Sequence, residues 1–257
     1  MGAYMRDLSV PIHILASYSQ KAAIPLDSRV LVIGGASDDV AILEGAGFHN
    51  LTLSNLNTTG LHLNAEAIAL PDDSYDLVFA HATLHHCRSP YKALAEMLRV
   101  ARGWVVFFEP NDSMTAHLAV SLGLKQPYEI VAVMDNENVR GGVMHSDVPN
   151  FIHRWTPAEL KKTALCAVPE RKLACYSFRY WDFNLTEHER EISTSSWGKL
   201  TQAAQKCRGL LNLVPPTRSQ GNHFFGAVAK LGYQPWIKNG HFDPEYAQNN
   251  KARATAA

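Results

Sequence analysis

The stretch from Asn64 to Asp112 constrains the fold more than any other part of the chain. Tyr75-Asp76-Leu77-Val78-Phe79-Ala80 is a short apolar run launched from the turn Asp72-Asp73-Ser74, the composition of a buried strand. Ser89-Pro90 then opens a helix, because serine accepts from the first free N–H groups and proline is pre-set for the first helical position. Leu94, Met97, Leu98 and Ala101 recur at helical spacing and give that helix one apolar face. Trp104 to Phe108 is a continuous apolar run, as expected of a parallel strand covered on both faces. Ligands of open parallel sheets sit beyond the carboxyl ends of the strands. Here those ends carry Asn64-Ala65-Glu66, His81 to His86, and Glu109-Pro110-Asn111-Asp112, so polar groups gather at one edge of the sheet.

The same alternation extends in both directions. Residues 7–24 suit a helix, Arg29 to Ile33 a buried strand, and Gly34-Gly35-Ala36-Ser37 the tight turn after it. Asp38 to Ala46 gives a helix closed by Gly47, His49 to Leu53 a second strand ending at Ser54-Asn55, and Gly60 to Leu63 a short third. Beyond Asp112, residues 113–122 suit a helix, whereas 123–153 mix Gly, Pro, Asn and apolar residues without a sustained period. Long irregular segments in compact domains are often functional, so 123–155 is expected to lid a site. Thr156-Pro157-Ala158-Glu159 starts a helix reaching about Ala167, Lys172 to Trp181 is an aromatic-rich strand, Glu187 to Leu211 is helical, and His223 to Lys230 is a last strand. The expectation is an α/β fold, a Rossmann-like three-layer sandwich with a mostly parallel sheet and an antiparallel hairpin at its C-terminal edge. One domain spans 1–257, with 1–28 as an N-terminal helical cap.

Composition narrows the function classes. Formal net charge is zero, with 24 basic and 24 acidic residues scattered along the chain, so no footprint for nucleic acid is visible. No run of ~18 consecutive apolar residues suggests a membrane span. Met1 to Arg6 lacks the charged-then-apolar pattern of a secretory leader. The four cysteines, Cys87, Cys166, Cys175 and Cys207, form neither a CxxC pair nor a His-spaced metal set. The expectation is a cytoplasmic protein with reduced thiols, no metal, no membrane partner and a small-molecule substrate.

Glycines after a first strand let backbone approach a ligand closely, but Ile33-Gly34-Gly35-Ala36-Ser37-Asp38 breaks the dinucleotide spacing. Asp38 and Asp39 at a helix start suit the helix dipole and would repel a pyrophosphate. A cofactor without phosphates fits this loop better than a nicotinamide dinucleotide. Val30 to Gly35, Asn64-Ala65-Glu66, Ser74 to Val78, Leu84-His85-His86 and Leu98 to Ala101, in this order, resemble the class I methyltransferases that use S-adenosylmethionine, in particular the type 11 group. The resemblance covers roughly Ser28 to Asp112 and implies a seven-stranded sheet ending in an antiparallel hairpin. It implies that Gly34 and Gly35, with Ser37 in the same turn, line the methionine and ribose portion. Asn55 stands at the ribose position, Asn64, Ala65 and Glu66 at the adenine position, and His81 at the border of the methionine portion. Val32, Asn55 and Asn64 stand where that family usually has acids.

Methyl transfer from a sulfonium needs an in-line nucleophile, and a hydroxyl nucleophile gains from a base with a near-neutral pKa. Histidine suits the role, and of His81, His85 and His86 the expected catalytic base is His85. The expected activity is methyl transfer from S-adenosylmethionine to a small-molecule acceptor, an oxygen nucleophile. The neutral residues at 32, 55 and 64 motivate an alternative, a methyltransferase-fold protein acting as a non-catalytic binding partner.

Overall fold

A computed structural model describes residues 7–56, 61–183 and 203–246 of the chain. Helix α1 (Ser9–Lys21) precedes β1 (Val30–Ile33), α2 (Ser37–Gly45), β2 (Leu51–Asn55), β3 (Leu61–His62) and β4 (Tyr75–His81). The chain continues through α3 (Pro90–Val100), β5 (Ala101–Pro110), α4 (Met114–Ser121), α5 (Ile130–Met134), α6 (Pro157–Ala167) and β6 (Arg171–Tyr180). It closes with α7 (Arg208–Leu213), α8 (Pro215–Ser219), β7 (His223–Tyr233), β8 (Ile237–Lys238) and β9 (His241–Phe242). Of the helix expected over Glu187 to Leu211, residues 187–202 lie outside the described residues.

Seven strands form one sheet in the order β3-β2-β1-β4-β5-β7-β6. The pairs from β3 to β5 are parallel, and β7 runs antiparallel to both β5 and β6. Successive strand residues point to opposite faces, so each buried run feeds two cores. Val30, Val32, Leu77, Phe79, Val106 and Phe108 pack with Leu15 and Tyr18 of α1 and Ile42 and Leu43 of α2. Leu31, Ile33, Val78, Ala80, Val105 and Phe107 pack on the other face with Leu94, Met97 and Leu98 of α3 and Leu160 and Ala164 of α6. Three layers result, as expected.

Local chemistry sets the helix ends. The Ser89 hydroxyl accepts from the Lys92 N–H at the start of α3. Thr156 and Glu159 form a reciprocal capping box at the start of α6, the Thr156 hydroxyl accepting from the Glu159 N–H and Glu159 accepting from the Thr156 N–H. Two details differ from expectation. Helix α3 passes directly into β5 at Ala101, so the strand is longer than the apolar run from Trp104; Arg102, at its exposed start, pairs with Asp76 at 2.9 Å. The tail after β7 forms a small β8–β9 hairpin. Among the described residues no helix is long and apolar enough to cross a membrane.

The strand order runs outward from β1 in one direction to β2 and β3, then restarts beside it at β4 and β5. The reversal between β1 and β4 is the point where an α/β sheet opens a crevice at its carboxyl ends.

Candidate active site

A cavity of about 200 Å³ opens at that reversal, and each neighbouring strand end contributes to it: Gly34 after β1, Asn55 and Leu56 after β2, Asn64 and Ala65 after β3, Thr83 after β4. Gly34 adopts a left-handed φ of +70°, and a Cβ there would stand 2.5 Å from the Thr83 side chain. Only glycine lets the loop after β1 approach the loop after β4 this closely. From the irregular stretch after α5, Gly142, Met144 and His145 complete the wall. His86 and Cys87 also line it.

Of the residues expected at a cofactor site, the structure brings Gly34, Asn55, Asn64 and Ala65 to this cavity. The others serve its frame. Gly35 donates its N–H to the Ser54 carbonyl, Ser37 begins α2, and Glu66 accepts from the Ser89 N–H at 3.0 Å. His81 turns away, its Nδ1 meeting the buried Asp39 carboxylate at 3.0 Å while Asp39 also accepts from the Ala36 N–H. Both asparagines spend an acceptor on their own loops: Asn64 Oδ1 accepts from the Glu66 N–H and Asn55 Oδ1 from the Leu56 N–H, both at 2.8 Å.

A second cavity, of about 400 Å³, lies beside the first, and Cys87 lines both. Its wall includes His85, Tyr91, Asn150, Phe151 and His153. Asn150 Oδ1 and His153 Nε2 are buried without a hydrogen-bond partner among the described residues. Buried polar atoms are nearly always satisfied, so these two are available to a ligand. Burial, then the nearby carboxylates of Glu66 and Glu109, push the Cys87 thiol up to about 12, which disfavours its thiolate.

The 3-10 turn Leu84–His86 divides the two cavities and holds the strongest electrostatics of the site. Glu109, at the end of β5, is 2% exposed and accepts from the N–H groups of Thr83 and Leu84 at 2.8 and 2.6 Å. Its other oxygen meets His85 Nδ1 at 2.6 Å. On the far side, His85 Nε2 lies 3.3 Å from Glu129, the residue before α5. Burial alone would lower the His85 pKa; the charges of Glu109 and Glu129 override it and raise the ring to about 10. Burial would lift the Glu129 carboxyl, but contact with His85 holds it down at about 2. His86 goes the other way, lowered by burial and by the neighbouring His85 charge. His85 is therefore engaged through both ring nitrogens, and of the two neighbours it is His86 that borders the first cavity. Sequence reading passed over Glu129, which belongs to a stretch without periodicity and meets the histidines only in the folded chain.

A three-layer sandwich of this strand order, with a cradle at the β1–β4 reversal, defines a class I methyltransferase fold. A family model described as a methyltransferase domain matches residues 46–107, from the end of α2 into β5. Over those residues the chain is similar to the methyltransferase-domain family, and its strand order is that of the class I methyltransferase fold. No curated protein matches its sequence significantly. Solved structures share the fold at low identity. The YcgJ protein of Bacillus subtilis is 16% identical, with 85% of this chain and 96% of that chain covered at a TM-score of 0.44. A SAM-dependent methyltransferase from Archaeoglobus fulgidus is 14% identical, with coverage of 85% and 94% and a TM-score of 0.45. The (4+2)-cyclase SpnF is 9% identical, with coverage of 91% and 85% and a TM-score of 0.51.

Proposed function

We propose that the chain transfers the methyl group of S-adenosylmethionine to a hydroxyl of a small molecule, the cofactor in the first cavity and the acceptor in the second. The observation that carries this reading is the adjacency of the two cavities across a turn whose His86 lines the first and whose His85 lines the second. The residues fit the cofactor: the cradle at Gly34 admits backbone-close contact, and Asp39 at the start of α2 makes the loop unsuited to a pyrophosphate. With Asn55 and Asn64 partly committed to their loops, backbone groups of Gly34 and Ala65 take a large share of the binding.

The bound sulfonium supplies an electrophilic methyl group. The protein's part is alignment and proton handling. Asn150 Oδ1 and His153 Nε2 offer the acceptor hydrogen bonds that fix its orientation, and such positioning can supply most of the acceleration. The hydroxyl proton leaves toward the cluster of His85, His86, Glu109 and Glu129 through His86, whose ring is held toward its neutral form, while His85 is already protonated between Glu109 and Glu129.

A second reading keeps the fold without the chemistry, because the acceptors of Asn55 and Asn64 serve their own loops. Calorimetry with S-adenosylhomocysteine separates the two. Methyl transfer requires a sub-millimolar dissociation constant, weakened by Asn64→Leu; no heat at millimolar ligand would favour the non-catalytic partner.

A further inference from the structure

His85 and His86 are consecutive, yet their rings lie with centroids 4.5 Å apart and turn toward the same carboxylate. Glu129 Oε2 is 3.3 Å from His85 Nε2 and 3.4 Å from His86 Nε2. One ligand atom from each of the three residues falls within a 4.8 Å group. Three features fit an ordinary ion pair poorly. The two contacts to Glu129 are long for charge-assisted hydrogen bonds, which run ~2.7–2.9 Å. Ligands held ~2.0–2.1 Å from a tetrahedral zinc ion stand about 3.3–3.4 Å from one another, the spacing of each imidazole Nε2 from Glu129 here. Finally, two carboxylates, Glu109 and Glu129, face the two rings, and a dication between neutral imidazoles balances both.

We propose that His85 Nε2, His86 Nε2 and the Glu129 carboxylate form a binding site for a divalent transition-metal ion of the zinc class. The surroundings suit it. Metal-bound histidines characteristically donate their other ring N–H to a carboxylate, which fixes the tautomer, and Glu109 stands 2.6 Å from His85 Nδ1. Asn150 steadies the third ligand, its amide donating to Glu129 at 3.2 Å and to the His85 carbonyl at 3.1 Å. Two imidazoles with one carboxylate select zinc or a neighbouring transition metal over magnesium and calcium, which prefer all-oxygen sites. Three protein ligands leave a fourth position, the arrangement of catalytic zinc rather than of structural zinc. Because His86 borders one cavity and His85 the other, the ligand for that position is an acceptor oxygen reaching from the second cavity. A bound ion lowers the pKa of such an oxygen and so promotes loss of its proton. This last role rests on the methyl-transfer reading; the metal site itself does not.

The test uses the full chain without cofactor. After chelator treatment and dialysis against limiting zinc, the wild type should retain about one zinc per chain, and cobalt(II) should give visible d–d bands. Glu129→Gln and His86→Ala, with circular dichroism showing them folded, should retain less than a tenth as much, while His117→Ala, at an exposed pair with Asp112, should match the wild type. A wild type that retains no zinc, or a Glu129→Gln variant that retains as much, overturns the site. Calorimetry with S-adenosylhomocysteine on the same samples is independent. Zinc retention without nucleoside binding would overturn only the methyl-transfer reading, and nucleoside binding without zinc only the metal site.

Discussion

Two residues set the geometry of the cleft. Gly34 carries the left-handed turn that admits Thr83, and Gly34→Ala would place a methyl group 2.5 Å from that side chain in a conformation costing L residues about 1–2 kcal/mol. The expected result in calorimetry is a cofactor affinity reduced at least about tenfold, the equivalent of ~1.4 kcal/mol. Glu109 anchors the other wall: it accepts two backbone N–H bonds and an imidazole contact in a site closed to water. Glu109→Gln should destabilise chelator-treated protein by about 3–5 kcal/mol in urea denaturation, the usual cost of breaking a buried charge pair. A loss below 1 kcal/mol would remove Glu109 from its structural role. Gly34, Asn55, Asn64 and Ala65 were legible as cavity residues because each sits at or within three residues of a strand's carboxyl end, and strand ends face the crevice whatever the side chains do. The division of labour between His85 and His86 was not. It rests on the path of the chain after β4, where Ala82 takes a left-handed φ of 48° that its sequence does not announce.

At the scale of elements, short-range chemistry was the readable part. The Thr156 capping box, the Ser89-Pro90 start of α3 and the buried runs of β1, β4 and β5 all appear where their residues predict. Thr156→Ala removes an N-cap that lines neither cavity and should cost about 1 kcal/mol in thermal unfolding, leaving nucleoside affinity unchanged. An altered affinity would mean that α6 helps to position the site. The β8–β9 hairpin was missed although its signal was present: Asn239-Gly240 adopts φ values of 52° and 79°, the turn chemistry that favours tight hairpins. The insertion of β7 between β5 and β6 was beyond local reading, since it rests on pairings between distant segments.

For the whole molecule, the sheet topology places every chemically distinctive group on one edge, and the stretch after α5 brings Gly142, Met144 and His145 over it. Glu129 enters the cluster from the same irregular region, so the proposed lid contributes a side chain to it. The account therefore depends on what fills the crevice at the β1–β4 reversal. A crystal structure of the complex with S-adenosylhomocysteine tests it most directly. The account predicts the nucleoside across the ends of β1, β2 and β4, with ribose beside Asn55, adenine against Asn64 and Ala65, and sulfur toward His86. A cavity closed by side chains at millimolar ligand, or the nucleoside bound elsewhere, would contradict it.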